Sequence, residues 1–202
     1  MTPVQKLLLM LILAFGLNGC GTTPSSNYYM LSASSETLPS DSSQKNINVG
    51  LGPIDFPAYL DRNKIVVITG NNSLRTAEYH RWAEPLESNF TRVLAEDLAA
   101  AMPDAEVYSF PWRPGNHIDL QLYIKVLRFD VDSQNIGRLG VRWELTSLNK
   151  KMLYPPQSRE YSIPARNDDY PALVEALSRC VSAFSHDLAE SVRKTDNLAQ
   201  NK

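Results

Sequence analysis

Reactive side chains in this chain are few and scattered. There are three histidines, His80, His117 and His186, and two cysteines, Cys20 and Cys180. No two histidines stand at a metal-ligand spacing, and the Cys180–His186 interval fits no zinc pattern. No GxSxG elbow, GxxxxGK[ST] loop or HExxH helix occurs. The Gly50-Leu51-Gly52 stretch lacks the third glycine and the following helix of a dinucleotide fingerprint. The acid pairs Asp168-Asp169 and Glu96-Asp97 are adjacent in sequence. Neighbours on a helix diverge by about 100°, so these pairs suit caps and solvated faces rather than general acid/base work. The residues propose no catalytic set, no metal site and no cofactor, and the chain reads as a non-enzyme. Lys and Arg are dispersed and the net charge is −2, which leaves no basic surface for nucleic acid.

Cys20 is the exception, because of what precedes it. Lys6 is followed by the charge-free run LLLMLILAFGL and then by LNGC. A basic start, a short apolar core and small residues are the order of a secretory signal. The run is shorter than the roughly 20 residues that cross a bilayer. LNGC resembles the bacterial lipobox, with Asn18 larger and more polar than its usual counterpart. That resemblance implies cleavage after residue 19, acylation (palmitate included) of Cys20, and an outer-membrane address, since Gly21 rather than Asp follows. Each buried methylene contributes about 0.8 kcal/mol, so several acyl chains anchor firmly. Cys180 is then left without a disulfide partner and reads as a small buried hydrophobe on a helix.

Residues 1–19 are thus expected to be a signal peptide. Residues 20–46 are expected to be a lipidated start, a short strand at YYML (28–31) and a Ser-rich linker. The domain proper is expected over 47–195 and a polar tail over 196–202. Seven residues separate Cys20 from that first strand. At no more than about 3.5 Å each they keep the body within about 25 Å of the membrane.

Alternation predicts strands over 47–54, 105–112, 117–132, 136–149 and 158–164. Within 117–132, Ile118, Leu120, Leu122, Ile124 and Val126 share one phase. Leu127, Phe129 and Val131 take the other, which predicts a bulge near Val126-Leu127. Residues 64–82 predict a hairpin turning at Gly70-Asn71-Asn72. Two stretches carry helical stripes. The first is 84–103, with Pro85 in its first turn and Leu86, Phe90, Val93, Leu94, Leu98 and Ala101 on one face. The second is 168–194, capped by Asp168 or Asp169, with Val174, Leu177, Val181, Phe184, Leu188 and Val192. The fold class is therefore α+β: an antiparallel or mixed sheet covered on one face by two amphipathic helices.

Aromatic and charged residues concentrate in PAYLDRN and YHRWAEPL. Locally, Trp82 packs over the helix start and Glu84 sits near its positive end. Equally, Tyr, Arg and Trp are residues from which binding surfaces are built.

The lipobox, YYML, PAYLDRNKIV, RWAEPLESNFTRVLAEDLAAAMP and DLQLYIKVLRFD together resemble the PqiC/YmbA family, the ABC-type transport auxiliary lipoproteins of Gram-negative bacteria. The similarity spans roughly residues 28–190. It implies a periplasm-facing outer-membrane lipoprotein serving an MCE-type lipid transport system. Its partners would be an MCE-domain protein and an inner-membrane transport complex, and relatives can form a ring. The matching motif positions are Tyr59, Leu60, Asp61, Arg62, Arg81, Trp82, Glu84 and Pro85, expected to form a subunit or partner surface. The alternative is a lipoprotein accessory factor in lipopolysaccharide or outer-membrane protein assembly.

Overall fold

Strand β6, Leu120–Asp132, is the spine of the molecule. Its even residues from Leu120 to Val126 are buried, and then the phase changes. The register with β7 (Ile136–Ser147) steps from Val126↔Val141 to Arg128↔Gly140, so Leu127 is the extra residue of a bulge. Leu127 is 48% exposed, whereas Phe129 and Val131 return to the core. The bulge falls where the alternation predicts it, but Leu127 does not join the apolar face: the inserted residue is spent on the slip itself.

The computed structural model describes residues 3, 5, 24–34, 47–70, 72–147 and 152–200. Cys20, the signal-like segment apart from residues 3 and 5, and residues 35–46 lie outside the described residues, as does Asn71 in the predicted turn.

On its other edge β6 takes two strands end to end. β2 (Ile47–Asp55) runs parallel to its first half, from Val49↔Leu120 to Asp55↔Lys125. β3 (Lys64–Gly70) runs parallel to its last residues, at Val67↔Val131 and Ile68↔Asp132. β5 (Ala105–Ser109) extends the first branch, parallel to β2. β4 (Ser73–Trp82) and β1 (Asn27–Tyr29) extend the second, antiparallel to β3 and parallel to β4 respectively. β8 (Met152–Pro164) pairs antiparallel with the far side of β7. The sheet is mixed and eight-stranded, as expected for the class.

Helices α1 (Leu86–Ala101) and α2 (Tyr170–Gln200) pack against each other and over one face of this sheet. Both predicted stripes are buried throughout, each large apolar side chain contributing about 1.5–3 kcal/mol. Phe90 of α1 makes edge-on contacts with Phe56 and Phe129, centroids 5.2 and 5.5 Å apart. Phe184 of α2 sits among Trp143 and Tyr161. Gly137 lets α2 lie close to β7, because a Cβ there would meet backbone atoms of Ala176 and Leu177 at 3.1 Å. Cys180 is fully buried beside it, its Sγ donating to the Gly137 carbonyl at 3.4 Å.

Several boundaries differ from the expectation. α1 starts at Leu86, with Pro85 as the residue before its first turn. Asp169, not Asp168, caps α2, accepting from the Ala172 N–H at 2.8 Å. β8 begins at Met152 rather than 158, and α2 continues through the supposed tail to Gln200. The described residues just after β1, 31–34, are packed rather than free. Leu31 is 2% exposed, and the chain from 31 to 34 is strapped onto both helices. Its N–H groups donate to Asn89 Oδ1 (Leu31, 2.7 Å), Ser178 Oγ (Ser32, 3.1 Å) and Asp97 Oδ1 (Ser34, 2.6 Å). Asp97, expected on a solvated face of α1, is therefore buried, and so is Asn89.

Candidate partner surface

The two motif segments meet. Past the end of β2 the chain makes a 3-10 turn over Ala58–Leu60, closed by Leu60 N–H to the Pro57 carbonyl at 2.9 Å and Asp61 N–H to Ala58 at 3.1 Å. The end of β4 is fastened to this loop by the Trp82 N–H, which donates to the Asn63 carbonyl at 2.7 Å. Ala83 N–H donates to Tyr29 of β1 at 2.9 Å. The loop, the β4–α1 corner and β1 thereby enclose a cleft of about 660 Å³. Trp82, Leu60 and Leu86 form its nearly buried floor. Ala58, Ala83, Pro85 and the exposed Tyr28 wall it, and Asp61, Arg62, Glu84 and Glu87 stand around it.

Glu84 is held in place. It accepts from Asn89 Nδ2 and from Arg92 at 3.1 Å, and these bonds keep its carboxyl below the usual carboxylate range. Arg92 also reaches Glu96 at 3.2 Å, one turn on. The corner is thus stiffened by a chain of side chains running along the first turns of α1. Glu87 adds a carboxylate in that first turn, where the helix dipole favours it.

Of the motif positions, Leu60, Asp61, Arg62, Trp82, Glu84 and Pro85 line the cleft. Tyr59 and Arg81 do not. The Tyr59 hydroxyl turns to the buried Asp130, at 3.4 Å from its Oδ2, while Arg128 holds the same carboxylate through Nε and a terminal nitrogen at 2.8–3.0 Å. Burial pushes the Asp130 carboxyl up, and the Arg128 hydrogen bonds oppose it. Arg81 is on the next strand position before Trp82 and so points to the opposite face of the sheet. Tyr28, Ala58 and Ala83 complete the cleft without any signal of their own in composition or periodicity.

The histidines have structural company. His80 stacks on Tyr170 at 3.6 Å and bonds the Tyr29 hydroxyl through Nδ1 at 2.8 Å; His117 pairs with Asp119 at 3.0 Å. Among the described residues no three His, Cys, Asp or Glu side chains come together to hold a metal, and no helix is long and apolar enough to cross a membrane. What the arrangement offers is a preformed hollow with small residues on its walls and charges at its lip, a shape that accepts a protruding side chain.

Solved structures share the architecture. A crystal structure of an uncharacterised protein superposes with a TM-score of 0.70 at 19% identity, covering 84% of this chain and 99% of its own. A protein from Xanthomonas campestris superposes with a TM-score of 0.72 at 14% identity, over 88% of this chain and all of its own. The PelC dodecamer from Paraburkholderia phytofirmans is more distant, with a TM-score of 0.40 at 12% identity over 76% of this chain and 93% of its own. At the identities of the first two, the likeness is one of fold. No curated protein matches the sequence. Residues 29–189 match the ABC-type transport auxiliary lipoprotein component family, so most of the folded body lies within the match, and the chain belongs to that family.

Proposed function

We propose that this auxiliary lipoprotein sits on the periplasmic side of the outer membrane, anchored through acyl groups on Cys20, and that the cleft docks the MCE-domain partner of a lipid transport system. One observation carries the reading. Residues from both PAYLDR and RWAEPL, segments that neither helix nor strand periodicity explains, line a single cleft at the junction of loop, β4 and α1. The stiffened corner around Glu84, Asn89 and Arg92 means that little ordering is left to be done on binding, which favours affinity.

Filling the cleft tests this. Ala58→Arg and Ala83→Trp place bulk at exposed wall positions without touching the core. Co-purification with the MCE-domain protein from membranes is expected to fall at least tenfold while the thermal transition stays put. Undiminished co-purification by the folded variants would overturn the assignment. The anchor is read separately, by the mass of the mature N-terminal peptide isolated from membranes: an unmodified residue 20 there would refute it.

A further inference from the structure

Strand register puts Arg81 in company that its own chain leaves unbalanced. Tyr28 of β1 pairs with Arg81 of β4, and Arg81 pairs with Lys64 of β3, so the three side chains form one row across three strands. Tyr29 and Trp82, one position along, pack with the core and helices. The row therefore faces the side of the sheet that the helices leave uncovered. Two cations directly opposite each other oppose folding. Neither Lys64 nor Arg81 enters an ion pair with a described carboxylate, and Arg81 Nε is buried with no acceptor among the described residues. Tyr28 stands beside them 62% exposed.

We propose that the Lys64–Arg81–Tyr28 row binds the phosphate of anionic phospholipid headgroups and sets the face that the domain lays on the bilayer. An Arg fork and a Lys ammonium match a phosphodiester. An exposed tyrosine is at home at the headgroup level. The position of the chain's entry commits the row to a membrane rather than to an acidic protein segment. Tyr28 is eight residues from Cys20, at most about 28 Å of extended chain, and β1 is where the tether joins the fold. The proposal rests on the lipid-anchor reading for that proximity.

The test uses residues 21–202, which contain the whole hydrophobic core but no anchor. Flotation is measured with vesicles of phosphatidylcholine alone and with one-third phosphatidylglycerol. The protein should float only with the anionic vesicles, and less at higher salt. Losing one basic residue near the surface should weaken binding roughly fivefold, and Lys64→Gln with Arg81→Gln roughly twenty-five-fold. Lys64→Gln alone serves if the pair does not fold. Arg166→Gln with Arg179→Gln, the same change of charge on the helix side, beside and on α2, should leave binding unchanged. Equal loss in that control, unchanged binding in the row variants, or no flotation at all would overturn the proposal. Binding to polyglutamate but not to vesicles would replace it with an acidic protein partner. Acylated Cys20 with no flotation sinks the row alone; flotation with an unmodified residue 20 in cells sinks the anchor alone.

Discussion

Replacing Asp97 by asparagine should stabilise the protein at neutral pH and flatten its pH dependence. Asp97 lies in the apolar stripe of α1 with 4% of its surface exposed. Its Oδ1 accepts the Ser34 N–H, while its Oδ2 is buried without a partner among the described residues. Burial pushes the carboxyl up to about 6; the Ser34 N–H and His186 of α2 oppose the shift, and Glu96 adds to it. In the unfolded chain the same group titrates near 3.8. Between those values the native state holds more protons, so stability falls as pH rises and the loss is complete above about pH 6. A shift of roughly two units at 1.36 kcal/mol each costs about 3 kcal/mol. Asparagine keeps the acceptor for Ser34 and carries no charge, but buries an NH₂ at a cost of about 1–2 kcal/mol. The net gain at about pH 7.5 is then about 1–2 kcal/mol, a rise in Tm of roughly 2–8 °C for a domain of this size. Below about pH 4 the carboxyl is neutral in both states, so the gain is gone and the buried amide leaves the variant about 1–2 kcal/mol less stable than the wild type. Thermal melts of both proteins from about pH 4.5 to 7.5 read this difference directly, because the other titrating groups cancel. A variant destabilised equally at every pH would refute the reasoning.

Gly137→Ala should cost about 1–3 kcal/mol, since its Cβ meets the backbone of α2, and chemical denaturation would show it as a lowered midpoint. Phe90→Ala removes the ring between Phe56 and Phe129 and should cost about 3–5 kcal/mol, enough to leave little folded protein in circular dichroism at 37 °C. In residues 21–202 the single thiol, Cys180, is pushed up to about 12 by burial. It should react with an aromatic disulfide reagent only on unfolding in denaturant, and rapid labelling of the native protein would contradict its place under α2.

The parts of the fold that depend on local period were legible before any coordinates. The stripes of α1 and α2 and the bulge in β6 are one-dimensional signals, because a side chain's phase along a helix or strand decides its face. Parallel pairing was not legible: that β2 and β3 share one edge of β6, end to end, follows from contacts far apart in sequence. Asp97 reads from sequence as solvated, although its spacing holds the clue. Asp97 stands four residues from both Val93 and Ala101, as Asn89 stands three from Leu86 and four from Val93, in phase with the stripe, and each is buried where it serves the backbone of residues 31–34. The polar stretch 195–200 has no Gly or Pro to stop a helix, so α2 runs on through it. At the cleft, the motif residues came from resemblance. Their division, with Arg81 on one face and Trp82 on the other, required the register of β4.

The strap across the helices also sets an order of events. Ser32 waits for Ser178, 146 residues later, and Tyr29 packs on Tyr170. Contacts of such separation close late, because the intervening chain must be in place before they repay its ordering. The first strand to leave the ribosome is therefore among the last to find its seat. Until α2 arrives, the strap can hold only to α1, through Asn89 and Asp97, and the seam is half closed.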